Sequence, residues 1–117
     1  MDFDVHLLRQ DRCGVVRVRG EIDVVSRERF EAAMAEALDA GGPMVIDMRE
    51  VTFCDSTGLN ALVTANKRAL EEGTAIALVA VPPRVRRVFR ITAVDEYIPI
   101  YETLREAINA LPSNAAP

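Results

Sequence analysis

Two cysteines and one histidine are all that this 117-residue chain offers in the way of thiols and imidazoles. Cys13, Cys54 and His6 are scattered, with none of the close spacings that hold a structural zinc, so no metal site is expected. The start Met1-Asp2-Phe3-Asp4 lacks a charged stretch leading into an apolar one, the mark of a secretion signal. Both thiols are therefore expected to be free and the protein cytoplasmic. Long hydrophobic runs are missing as well: Ala75 to Val81 is the longest, far below the about 20 residues that cross a bilayer. A basic excess is also absent. With 18 acids against 14 lysines and arginines, a net charge of -4 argues against a general nucleic-acid binder, whose phosphate contacts need cations. Gly14, Gly20, Gly41, Gly42, Gly58 and Gly73 fall into no phosphate-cradling loop, so no nucleotide or other cofactor is expected.

Half of the residues are apolar, enough for one domain with a real core in a chain too short for two. Phe3 to Leu8 and Gly14 to Arg19 alternate as strands, joined by the polar Arg9-Gln10-Asp11-Arg12, which predicts a hairpin. A turn is predicted at Gly20. From Ser26, a candidate cap, Phe30, Ala33, Met34, Ala37 and Leu38 trace a helical stripe that stops at Gly41-Gly42, with Glu28, Glu31, Glu36 and Asp39 on a solvated face. Met44 to Met48 predicts a strand, Arg49-Glu50 a polar break, and Val51 to Cys54 a further strand-like run. Ala75 to Val81, apolar throughout and closed by Pro82-Pro83, reads as a central strand covered on both faces. A short helix on Val85, Val88 and Phe89, a strand at Tyr97 to Ile100 and a helix on Leu104, Ala107, Ile108 and Leu111 complete the pattern. Residues 112–117 are expected to be a disordered tail. The fold class is α/β, bordering on α+β: a mixed sheet, opened by the hairpin, with helices packed mainly on one face.

Val51-Thr52-Phe53-Cys54-Asp55-Ser56-Thr57-Gly58-Leu59 is the stretch richest in chemistry. An apolar run ends there in an acid, two hydroxyls and a glycine, and a helical stripe through Leu59, Leu62, Val63, Ala69 and Leu70 follows directly. Asp55 and Ser56 therefore stand at a helix start, where unpaired N–H groups favour capping oxygens and also suit a phosphate. Hydrolysis through Ser56 is not expected. Its turn lacks the flanking glycines of a nucleophile elbow, and His6, the only imidazole, lies in a different element.

Gly20-Glu21-Ile22-Asp23, Val45-Ile46-Asp47, Asp55-Ser56-Thr57-Gly58-Leu59 and Val85-Arg86-Arg87-Val88-Phe89 follow one another in an order that resembles the STAS-domain family, and within it the stand-alone anti-sigma factor antagonists. The resemblance runs from about Phe3 to Leu111, so that residues 1–111 are expected to form one STAS domain. It implies a protein that, unphosphorylated, binds an anti-sigma factor with serine kinase activity and so releases a sigma factor. Phosphorylation at Ser56 would end that binding, with Thr57 as second candidate acceptor, and a metal-dependent serine phosphatase would reset the switch. The partner-binding residues implied are Asp23, Asp55, Ser56, Thr57, Gly58 and Asn60. Thr57 stands where many relatives have a second serine, and Asn60 where glycine is frequent.

On this reading the chain is a binding module, not an enzyme, and a monomer or weak dimer without nucleic-acid or membrane partners. Two alternatives stay open from sequence: a STAS scaffold or accessory subunit, in a stress-signalling complex or a lipid-transport ATPase, and a small serine hydrolase or nucleotide-binding protein. Arg84, Arg86, Arg87 and Arg90 are expected to form a solvated basic face on the helix after Pro82-Pro83.

Overall fold

The first two strands, β1 (Asp4–Gln10) and β2 (Cys13–Ile22), pair antiparallel through a turn at Asp11 and Arg12. The computed structural model describes residues 2–112, so most of the expected tail lies outside the described residues. Three more strands, β3 (Met44–Cys54), β4 (Ile76–Val79) and β5 (Ile100–Tyr101), add parallel to one another and to β2, giving a five-stranded mixed sheet in the order β1-β2-β3-β4-β5. Helices α1 (Arg27–Asp39), α2 (Ser56–Glu71) and α3 (Pro83–Ile91) fill the connections from β2 onward, and α4 (Leu104–Ala110) follows β5. The expected α/β architecture is the one observed.

Burial divides the helices between the two faces. Phe30 and Met34 of α1, Leu62 of α2 and Phe89 of α3 share one core with Val16, Ile46 and Leu78 of the sheet. Ala107 and Ile108 of α4 close a smaller core over Cys13, Val45, Ala77 and Val79 on the opposite face. Every position of β4 is buried, as its continuous apolar run predicts. All five stripe residues of α1 are buried too.

Five sequence expectations are corrected. Gly20 does not turn the chain: it lies within β2 with φ +101°, and a Cβ there would collide with the Asp2 carbonyl oxygen. Its smallness serves a close backbone approach beside a bulge, where the pairing slips between Gly20 and Glu21. Arg49-Glu50 does not break β3 either, because both residues are exposed and sit at another register slip, where polar side chains reach solvent without leaving the ladder. Ser26 stands at the start of α1, yet its side chain makes no bond to the helix. Val63 and Leu70 leave the buried stripe of α2 and remain 47% and 63% exposed. The last strand is Ile100–Tyr101 rather than Tyr97 to Ile100, since Tyr97 closes a short 3-10 turn over Val94–Glu96.

Candidate functional site

Strands β2 and β3 end side by side. Ile22 is opposite Cys54, and the Asp55 amide donates to the Ile22 carbonyl at 3.2 Å. Two strand-to-helix junctions thus leave the same edge of the sheet. In the first, Asp23 Oδ1 accepts from the amides of Val25 (3.0 Å) and Ser26 (3.1 Å). Ser26 Oγ accepts from the Asp23 amide (3.0 Å) and donates to the Glu21 carbonyl (2.7 Å). The Ser26 side chain is thereby consumed and buried, which stiffens the turn before α1.

In the second junction the acid does the capping. Asp55 is extended (φ -93°, ψ -171°) and Oδ1 accepts from the amides of Thr57 (2.9 Å) and Gly58 (3.2 Å), two of the four N–H groups that a helix start leaves open. Ser56, the first residue of α2, is exposed, and its hydroxyl has no hydrogen-bond partner among the described residues. The two serines at the helix starts therefore differ in kind. Ser26 is locked inward and Ser56 is presented to solvent.

Gly58 explains how α2 can begin so close to the sheet. A Cβ there would stand 2.7 Å from both Cys54 Sγ and Ile22 Cγ2, so the helix start sits on the buried ends of β2 and β3 only because this residue has no side chain. Cys54 lies beneath the turn. Burial, with the Asp55 charge as a smaller contribution, pushes its thiol up to about 12, so it carries no thiolate for nucleophilic chemistry near neutral pH.

Of the residues expected at the site, Asp23 and Asp55 are partly exposed at the ends of neighbouring strands, Ser56 and Asn60 lie exposed four residues apart on one face of α2, Thr57 is half-buried, and Gly58 is buried. His6 is not brought to them. It pairs with Arg17 in the hairpin, and Arg17 pairs with Asp47 of β3, seven residues before Cys54 and hence about 20 Å along the strand at about 3.3 Å per residue. Sequence reasoning missed the apolar rim of the site. Val24 and Val25, 70% and 87% exposed, form the turn that Asp23 holds, and Phe53, 47% exposed, comes two residues before Asp55. An apolar pair placed in a polar turn, directly before a helix cap, was the available signal.

The pattern of the STAS domain matches residues 4–107. The chain belongs to the STAS-domain family. Among relatives, this STAS domain is 28% identical over 100 residues to the anti-sigma-B factor antagonist of Bacillus subtilis, with 86% of this chain and 92% of that protein covered. An anti-sigma factor antagonist from Mycobacterium paratuberculosis, solved by crystallography, superimposes with a TM-score of 0.85 at 32% identity, covering 94% of each chain. The anti-sigma factor antagonist SpoIIAA in its unphosphorylated form gives a TM-score of 0.75 at 25% identity, over 91% of this chain and 94% of that one.

Proposed function

We propose that this STAS domain is an anti-sigma factor antagonist: unphosphorylated, it binds an anti-sigma factor and thereby frees a sigma factor, as a regulatory module rather than an enzyme. The partner is itself a serine kinase that phosphorylates Ser56, and a metal-dependent serine phosphatase restores the binding form. The observation that carries this reading is the presentation of Ser56, an exposed hydroxyl without an internal bond, at a sheet edge rimmed by Val24, Val25 and Phe53. Such an edge suits docking, because apolar side chains held out by a rigid turn are the kind of surface a protein partner covers. Asp23, Asp55, Ser56, Thr57 and Asn60 provide its polar part, with Gly58 supporting them from below. The names of the relatives supply the class of partner. No helix among the described residues is long and apolar enough to cross a membrane, and we place the switch in the cytoplasm, with its partners.

The geometry supports a physical account of how phosphate would act. A phosphoserine adds about -1.5 to -2 charges near neutral pH. Asp55 already occupies two of the N–H groups at the helix start, so the modified side chain would stand in solvent beside a carboxylate. Exposure lets the domain tolerate that charge. Covering it with a partner does not, because desolvating a doubly charged group next to Asp55 and Asp23 costs about 3 kcal/mol or more, roughly a 100-fold loss of affinity. Binding is broken and the fold is kept. Calorimetric titration of the anti-sigma kinase with wild type, Ser56→Ala and Ser56→Asp tests the reading. The first two should bind alike and the third roughly 100-fold more weakly; equal affinities for all three would overturn it.

A further inference from the structure

The outward side of α3 carries three arginines that no carboxylate answers among the described residues. Arg84, Arg87 and Arg90 are exposed and none has a carboxylate partner among the described residues, whereas Arg86 of the same helix reaches Glu102 at 3.0 Å. Outside α3 and Arg49 of β3, most arginines are answered. Arg17, Arg19, Arg68 and Arg105 meet carboxylates, and Arg9 and Arg12 donate to backbone carbonyls.

The arrangement on α3 works against helix stability. Its first turn holds no acid, so Arg84 lies unscreened at the positive end of the helix dipole, while Arg84, Arg87 and Arg90 repel one another at three-residue spacing. Folding does not ask for these charges, because Val85 and Phe89, with Val88 packed beside them, bury the helix. Arg49 of β3 extends the patch: it and Arg84 line one groove with Thr52 and Pro82, beside the single acid Glu50. β4 lies next to β3, and α3 follows β4 as α2 follows β3. β4 stops opposite Asp47, but Pro82 and Arg84 at the start of α3 reach Thr52 of β3, so the basic face begins three residues of strand before Asp55.

We propose that Arg84, Arg87 and Arg90, extended by Arg49, form an electrostatic landing patch for an acidic surface of the anti-sigma factor; this rests on the function proposed above. A protein surface fits better than a nucleic acid. The patch spans only about 9 Å of helix at about 1.5 Å per residue, too short to follow a polyanion, and the rest of a chain with net charge -4 would repel one. Its effect belongs to encounter: charges at the rim of an interface steer association and are screened by salt.

Two measurements on the full chain test this. In the first, a decaglutamate peptide is titrated at low salt and followed by backbone amide shifts, with a 20-base-pair DNA duplex at matched charge as competitor. Shifts confined to α3 and Arg49, lost at about 0.5 M salt and in Arg87→Glu/Arg90→Glu, support the patch. Absence of binding, shifts centred on other elements, or displacement by DNA at equal charge would overturn it, the last in favour of a nucleic-acid site. In the second, stopped-flow mixing with the anti-sigma kinase should show the double variant associating about 10-fold more slowly at low salt, with an unchanged dissociation rate and no difference at high salt. Equal association rates would contradict the proposal. If wild type neither binds nor is phosphorylated by an anti-sigma kinase, the proposed function fails, and the peptide titration still decides the patch.

Discussion

The starts of α1 and α2 are two solutions to one problem, how a strand hands over to a helix at the same edge of the sheet. At α1 the hydroxyl of Ser26 ties Asp23 to Glu21 and disappears into the structure. At α2 the carboxylate of Asp55 takes the capping role, and Ser56, one residue on, is left without an internal partner. A serine beside an acid at a helix start is thus not one kind of feature. Both acids accept from two amides; what separates the two hydroxyls is that Ser26 Oγ is itself bonded into its turn while Ser56 Oγ is left to solvent.

Substitutions at the two junctions should separate them further. The largest effect is expected at Gly58, where alanine would ordinarily favour a helix by about 0.8–1.0 kcal/mol over glycine. Here the added Cβ meets Cys54 and Ile22 at 2.7 Å, so the sign reverses, and Gly58→Ala should lower stability by about 3 kcal/mol in a urea titration. Next comes Ser26→Ala, which strips the Asp23 amide and the Glu21 carbonyl of their shared partner and should cost about 2 kcal/mol. Asp55→Ala removes the acceptor for two amides and should cost about 1 kcal/mol; Asp55→Asn, which keeps an oxygen in place, should cost less. Ser56→Ala should change stability by less than about 0.5 kcal/mol, as expected for an exposed residue with no bond to lose. Equal losses for Ser26→Ala and Ser56→Ala would erase the distinction between the junctions.

Where apolar periodicity and packing coincide, the architecture is legible in the sequence. The stripe of α1, the uniform burial of β4, the hairpin and the cap at Asp55 follow from local rules. Gly20 and Arg49-Glu50 read as a turn and a break in sequence because bulges and turns draw on the same residues, and only the strand pairing tells them apart. Val63 and Leu70 matched the helical period as well as Leu62 did, but α2 is covered on one side only, and its partners come from distant parts of the chain. Ser26 reads as a cap by position, but position says nothing of which way a hydroxyl points. At the site, Asp23, Asp55, Ser56 and Asn60 came from motif order. The exposure of Val24 and Val25 depends on how tightly Asp23 closes its turn, a tertiary fact with no periodic signature.

The central claim, that Ser56 is the switch and Ser26 is not, is tested most directly by incubating the protein with the anti-sigma kinase and ATP and locating phosphate by mass spectrometry, with an unfolding curve and a binding titration on the product. The account predicts a single phosphate on Ser56, none on Ser26, an unfolding midpoint close to that of the unmodified protein, and loss of binding to the kinase. Phosphate on Ser26 or only on Thr57, or a Ser56-phosphorylated protein that still binds as wild type does, would contradict it.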